Sequence, residues 1–163
     1  MSKCKSFKPS INKDSKILIL GSMPGIKSLE EQQYYAHPKN RFWKVMAVLC
    51  NRQELPQLSY ENKLDILLQN KIALWDTIKY CEREGSLDSN INKEIPNDIK
   101  TLLRNYPNLK TICLNGNKSY SMFKKHFPEL LKIYKYLPLP STSPANAKYS
   151  LNILTKEWEK ILK

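Results

Sequence analysis

The stretch YYAHPKNRFW at 34–43 crowds two tyrosines, a histidine, a proline, an asparagine and a tryptophan into ten positions. That is dense for a solvated loop and too polar for a core. Its asparagine, Asn40, offers an amide that donates and accepts hydrogen bonds without titrating. From residue type alone, its expected task is to cap a helix starting near Arg41. Two further loops have the composition to meet a ligand. GSMPG at 21–25 is a tight turn flanked by glycines, which let a ligand approach backbone N–H groups or simply join a strand to a helix. STSPANA at 141–147 brings three hydroxyls and a Pro-Ala tip. Such a loop can grip phosphates and press into a groove, or be an ordinary connection.

Several chemistries are disfavoured. No Gly-Lys-Ser/Thr follows GSMPG and no G-x-G-x-x-G occurs, so nucleoside triphosphate hydrolysis and dinucleotide binding lack their motifs. Cys4, Cys50, Cys81 and Cys113 are scattered without metal-ligand spacing, and free thiols with no metal and no cofactor are expected. His37, before Pro38, reads as structural, and His126, beside Lys124 and Lys125, as surface. With 27 Lys+Arg against 15 Asp+Glu, the net charge of +12 suits an anionic partner, either a phosphate backbone or an anionic membrane surface. The N-terminal stretch lacks the apolar core of a signal peptide, and no apolar run approaches a membrane span. A soluble, cytoplasmic protein follows as an expectation.

These loops must be positioned by a scaffold, and 163 residues suit a single domain, 1–163. The β-rich runs KILIL (16–20), KIALW (71–75) and TICLN (111–115) predict three strands; YKYLPLP (134–140) predicts a fourth that its prolines should end early. Helical spacing predicts helices over 41–50, where Phe42, Val45, Met46 and Leu49 share a face, and over 61–70. Further helices are expected near 97–105, 117–127 and 148–162. Strands alternating with helices imply an α/β fold, a parallel sheet covered on both faces. Ligands of such sheets bind outside the carboxyl ends of the strands, where GSMPG, the loop after Trp75, NGNKS and PSTSPANA gather.

Taken in order, these motifs carry a family resemblance. GSMPG followed by YYAHPKNRFWKVM resembles the first motif of the uracil-DNA glycosylase superfamily, in particular its mismatch-specific branch, where G-x-N-P-G precedes AHPxNRFWKV. LPSTSPAN resembles the second motif. LWD at 74–76 and CEREGSLDS at 81–89 are similar to the hypoxanthine-DNA glycosylase, or DNA-deoxyinosine glycosylase, branch. The similarity runs from about residue 16 to 147. It implies a three-layer sandwich with a central, mostly parallel four-stranded sheet flanked by helices.

Most of the superfamily places Asp or Asn in the first motif to position the attacking water, but this chain has Met23, whose thioether cannot do so. The resemblance implies that Asn40 takes the role, with helix capping as its competing task. It further implies a base pocket formed by Gly21, Ser22, Met23, Pro24 and Gly25, with Tyr35, or alternatively Tyr34, stacking on the base; Phe42 and Trp43 are expected in the core. Within such a site a carboxylate, which only accepts, would pair with hypoxanthine N1–H and repel the N1 lone pair of adenine; Asp76 is the candidate, with helix capping as its bland alternative. Asn115 is a second candidate for the base edge, against its plainer reading as the start of an Asn-Gly turn. Ser141, Thr142, Ser143, Pro144 and Ala145 are expected on DNA; for Arg83 a phosphate contact, and for Ser86 and Asp88 a place in the pocket wall, stand level with the reading of CEREGSLDS as a solvated loop. The implied activity is monofunctional excision of deaminated bases, chiefly hypoxanthine, from double- or single-stranded DNA. The alternatives are a uracil or mismatch-specific glycosylase and a catalytically inert DNA-binding relative. A monomer with no membrane association, located at the nucleoid if the source is prokaryotic, completes the expectation.

Overall fold

The computed structural model describes residues 2–163. In chain order it begins with β1 (Ser2–Lys5), β2 (Ile17–Gly21), α1 (Ile26–Glu31), α2 (Phe42–Leu49) and α3 (Tyr60–Gln69). There follow β3 (Ile72–Asp76), β4 (Ile78–Arg83), β5 (Asn92–Pro96) and α4 (Ile99–Asn105). The chain closes with β6 (Thr111–Asn115), α5 (Asn117–His126), β7 (Lys135–Leu139) and α6 (Leu151–Trp158).

The main sheet has the order β3-β2-β6-β7, and every neighbouring pair is parallel. Its strands are near-continuous apolar runs because both faces are covered. Alternate residues point to opposite layers. Ile19, Leu74, Cys113 and Leu139 pack against Phe42, Met46, Leu67 and Trp158 of α2, α3 and α6. Leu18, Leu20, Ile112 and Leu114 pack against Ile99, Leu102 and Phe123 of α4 and α5. Burying each such side chain contributes about 1.5–3 kcal/mol, so the three layers are held chiefly by this two-sided core. Local signals agree with it. Ser59, Asp98 and Ser150 cap α3, α4 and α6 by accepting from the backbone N–H three residues on.

Four departures from the sequence reading have physical causes. Pro138 does not end β7, because β7 is the edge strand, where a missing N–H costs little. Helix α4 begins at Ile99 behind its Asp98 cap, and Asn97 is buried with its amide donating to the Asp76 carbonyl at 2.7 Å. The predicted 148–162 helix is α6 followed by a 3-10 turn, Glu159–Leu162. The unexpected element is a small antiparallel sheet, β1-β4-β5, which carries the first residues of CEREGSLDS in β4.

The chain passes from β2 to β3 on one side, and β6 then pairs with β2 on the other. The loops leaving β2 and β6 therefore diverge, and a crevice opens between them at the carboxyl edge. Among the described residues no helix is long and apolar enough to cross a membrane.

Candidate active site

A cavity of about 910 Å³ lies in that crevice. It is lined by Gly21 to Gly25 after β2, by Tyr35 and Asn40, by Asp76 at the end of β3, by Asn115 at the end of β6, and by Ser141 to Ala145 after β7. Segments separated by more than a hundred residues thus meet at one opening, because most of them end or follow strands of the same parallel sheet.

The floor is built around a glycine. Gly21 pairs with Asp76 across β2 and β3, and a Cβ on Gly21 would lie 2.5 Å from Asp76 Oδ1 and 3.2 Å from the Tyr35 hydroxyl. Only a residue without a side chain leaves room for both. Asp76 is 4% exposed, and its Oδ2 is buried with no hydrogen-bond partner. Burial, followed by the charge of Asp88, pushes this carboxyl up to about 7, while the Arg83 guanidinium opposes the rise. No helix follows Asp76, since β4 starts at Ile78, so the capping alternative does not apply.

Tyr35 has a left-handed backbone, φ +55°, and its ring stacks on Phe42 with centroids 3.9 Å apart. Tyr34 is a core residue whose hydroxyl donates to the Lys8 carbonyl at 2.7 Å and whose ring meets Phe7 edge-on. Burial raises both phenols well above their ordinary range. Asn40 is half-buried, and its Oδ1 accepts from Phe42 N–H at 2.9 Å. That bond is a local turn two residues long and not a helix cap, since the N-cap of α2 is Arg41, which makes no side-chain cap bond; a carbonyl oxygen has two lone pairs, and the second remains available at the cavity wall. Met23 is buried with Cys4, Ile78 and Cys81, a packing role suited to its thioether.

The family model described as the uracil DNA glycosylase superfamily matches residues 9–162. The chain is a member of that superfamily. It is similar to a hypoxanthine DNA glycosylase of Methanosarcina acetivorans, with 38% identity over 160 residues covering 98% of each chain. A hypoxanthine DNA glycosylase of Methanosarcina barkeri is 42% identical over 117 residues, covering 72% of this chain and 73% of that one. Among solved structures, the solution NMR structure of a candidate uracil DNA glycosylase from Methanosarcina acetivorans superposes with a TM-score of 0.84 at 38% identity, covering 98% of this chain and 96% of that one.

In this member of the uracil DNA glycosylase superfamily three expected ligand contacts are placed otherwise. Arg83 is 1% exposed, donates to the Pro24 carbonyl and leaves Nε and Nη1 without partners among the described residues, so it lies behind the GSMPG turn and out of reach of a phosphate. A buried guanidinium is tolerated there because Asp76 and Asp88 share its field. Asn115 uses its amide to brace the site instead of presenting an open edge. Its Nδ2 donates to the Tyr35 hydroxyl (3.3 Å) and Thr142 Oγ1 (3.1 Å), and its Oδ1 accepts from Thr142 N–H (3.0 Å). Thr142 is accordingly buried and committed to that brace. Ser141 and Ser143 accept from the backbone two residues on and shape the loop, leaving Pro144 and Ala145 exposed at its tip. Ser86 and Asp88 do line the cavity, and Ser22 donates to Asp88 Oδ1 at 2.7 Å.

Arg41 is the site residue that sequence reasoning missed. Its guanidinium donates to the carbonyls of Ser143, Asn146 and Tyr149, and its N–H to the Thr142 carbonyl, so it clamps the second-motif loop to the start of α2. The available signal was its place directly after Asn40 in a polar loop, where a fork of five donors suits converging carbonyls.

Proposed function

We propose that this protein is a monofunctional DNA glycosylase that removes deaminated bases, hypoxanthine foremost, by hydrolysing the N-glycosidic bond of a flipped nucleotide. The observation that carries the reading is the convergence of an unpartnered buried carboxylate, Asp76, and a half-buried amide, Asn40, on one cavity at the strand ends. The family membership and the hypoxanthine DNA glycosylases of Methanosarcina support it.

The roles follow from the chemistry of bond breaking. As the bond from C1′ to the base breaks, its electron pair leaves with the base and the sugar gains oxocarbenium character. Water then bonds to C1′ and its proton ends on the departing base or solvent. Asn40 Oδ1 accepts from that water with its free lone pair and holds it beneath the sugar, which removes the cost of ordering it in the transition state. Extruding the base forfeits its stacking, and an aromatic surface restores about 1–3 kcal/mol of it; the stacking of Tyr35 on Phe42 at the cavity wall supports giving Tyr35 that role. Ionised Asp76 accepts from N1–H of hypoxanthine and opposes the N1 lone pair of adenine.

Uracil N3–H would satisfy Asp76 equally, so a uracil-directed activity is the second reading, one in keeping with the similarity to a candidate uracil DNA glycosylase. Duplexes containing deoxyinosine, G·U or A·U pairs, incubated with the protein and treated with alkali, separate these readings by their cleavage rates. Alkali-labile breaks at deoxyinosine are expected. Salt-sensitive DNA binding without base release from any substrate would instead identify an inert relative.

A further inference from the structure

The small sheet β1-β4-β5 takes no part in this mechanism, yet one of its faces is built around an aromatic ring. Tyr80 on β4 is in register with Lys5 on β1 and with Ile95 on β5, so the three side chains form a row across one face. All three are exposed, whereas Cys4 and Cys81, in register on the opposite face, are buried. The pairing of β4 with β5 slips between Ile78 and Tyr80, and this irregularity leaves Lys79 exposed beside Tyr80 instead of directed into the core. The ammonium groups of Lys79 and Lys5 accordingly lie 5.3 and 5.7 Å from the centroid of the Tyr80 ring. A bulge that re-aims a side chain is a built feature, and here it brings a second cation to one ring.

The charges of this face are unbalanced. Glu82, two residues beyond Tyr80 on β4, is ion-paired to Lys93 at 3.1 Å. Lys3, Lys5 and Lys79 form no ion pair among the described residues. Surplus cations around an exposed ring fit a ligand that has both negative charge and a flat apolar surface. A nucleic-acid strand with unpaired bases has both: its phosphates meet the lysines and a base stacks on the ring. In a duplex the bases stack on one another, and only the phosphates remain for such a face. Strand β4 also leads to the base cavity. Arg83 ends it about 10 Å beyond Tyr80 at the ordinary strand rise, and Ser86 to Ser89 then line the cavity. We propose that the Tyr80 face of the small sheet is a binding surface for single-stranded DNA, holding the unpaired strand next to the nucleotide in the cavity. The choice of DNA over RNA rests on the glycosylase reading; the match of ring and cations to an unpaired strand does not.

Fluorescence anisotropy with an undamaged DNA strand, its duplex and an RNA of the same sequence tests this. Tyr80→Ala should weaken binding of the single strand about tenfold and leave duplex binding unchanged, and Tyr80→Trp should restore the single-strand affinity. Lys79→Ala, at an exposed position of the bulge, should lower the dependence of log affinity on log salt by about 0.7 for the single strand. Lys132→Ala, which removes an exposed lysine near the amino end of β7, should bind the single strand as the wild type does. Wild-type single-strand affinity and salt dependence in both Tyr80→Ala and Lys79→Ala overturn the proposal, as does an equal loss on strand and duplex from Tyr80→Ala. Tighter binding of the RNA overturns the assignment to DNA. No base is released in these measurements, so failure of the wild type to excise hypoxanthine overturns the glycosylase reading by a separate experiment.

Discussion

The role proposed for Asn40 puts a second task on the oxygen that accepts from Phe42 N–H, and substitutions can separate the two. Asn40→Ala removes both the acceptor of Phe42 N–H and the holder of the water. A single-turnover rate loss of about a hundredfold is expected, together with destabilisation of about 1 kcal/mol from the lost bond to Phe42 N–H. Asn40→Ser should recover much of the thermal midpoint, since a serine hydroxyl can accept from the N–H two residues on, as Ser141 and Ser143 do, and leave the rate low because its shorter side chain does not reach the water. Asp76 lends itself to a pH experiment. Its carboxyl is raised to about 7 by burial, so the folded state binds a proton that the unfolded chain releases near 3.8. Protons bound in the native state exceed those in the unfolded state between these values, so stability falls as pH rises through the window. Asp76→Asn should therefore raise the melting temperature at pH 8 and give little change near pH 4, as calorimetry can check. The same substitution places a donor against N1–H in one amide orientation. It should slow release from deoxyinosine by roughly tenfold to a hundredfold, the worth of a hydrogen bond to a charged group. For the wild type, release should decline as pH falls below about 7, because the role proposed for Asp76 requires its ionised form.

The elements matter through the loops they align. Arg41 ties the start of α2 to three carbonyls beyond β7, and lysine cannot reproduce that fork. Arg41→Lys should speed hydrogen exchange of amides across 142–149 and weaken duplex binding, with α3 and α4 protected as before. Gly21→Ala forces a methyl against Asp76 Oδ1 and should cost about 1–3 kcal/mol in denaturant unfolding. How much of this arrangement is legible without coordinates depends on the range of the interactions. The four main strands are legible because a strand covered on both faces must be apolar throughout, and GSMPG, Asp76 and 141–145 follow from where those strands end, whereas Tyr35 and Asn40, between α1 and α2, are marked only by the family resemblance. The β1-β4-β5 sheet is not, because its short strands mix exposed charges with a few buried positions and its register slips between β4 and β5. Arg83 reads as surface for the same reason: a charged residue in a polar run has no local mark of burial. Asn115 and Thr142 are bonded across 27 positions, and Arg41 across more than a hundred, distances at which spacing carries no signal.

For the molecule as a whole, the net charge of +12 supplies a field for DNA, and Lys27, Lys118 and Lys148 bring it to the cavity rim. Affinity for duplex DNA should fall linearly with log salt, by about 0.9 log units per phosphate contact. Lys118→Ala should weaken binding to all sequences alike and reduce that slope by about one. Base choice should not change, since it belongs to the floor of the cavity and not to its rim. The most direct measurement is single-turnover release of hypoxanthine from a deoxyinosine duplex by the wild type and Asn40→Ala, side by side. Release by the wild type, with the variant about a hundredfold slower, is the predicted result. No release by the wild type, or equal rates for the two proteins, would contradict the assignment of glycosylase chemistry to Asn40.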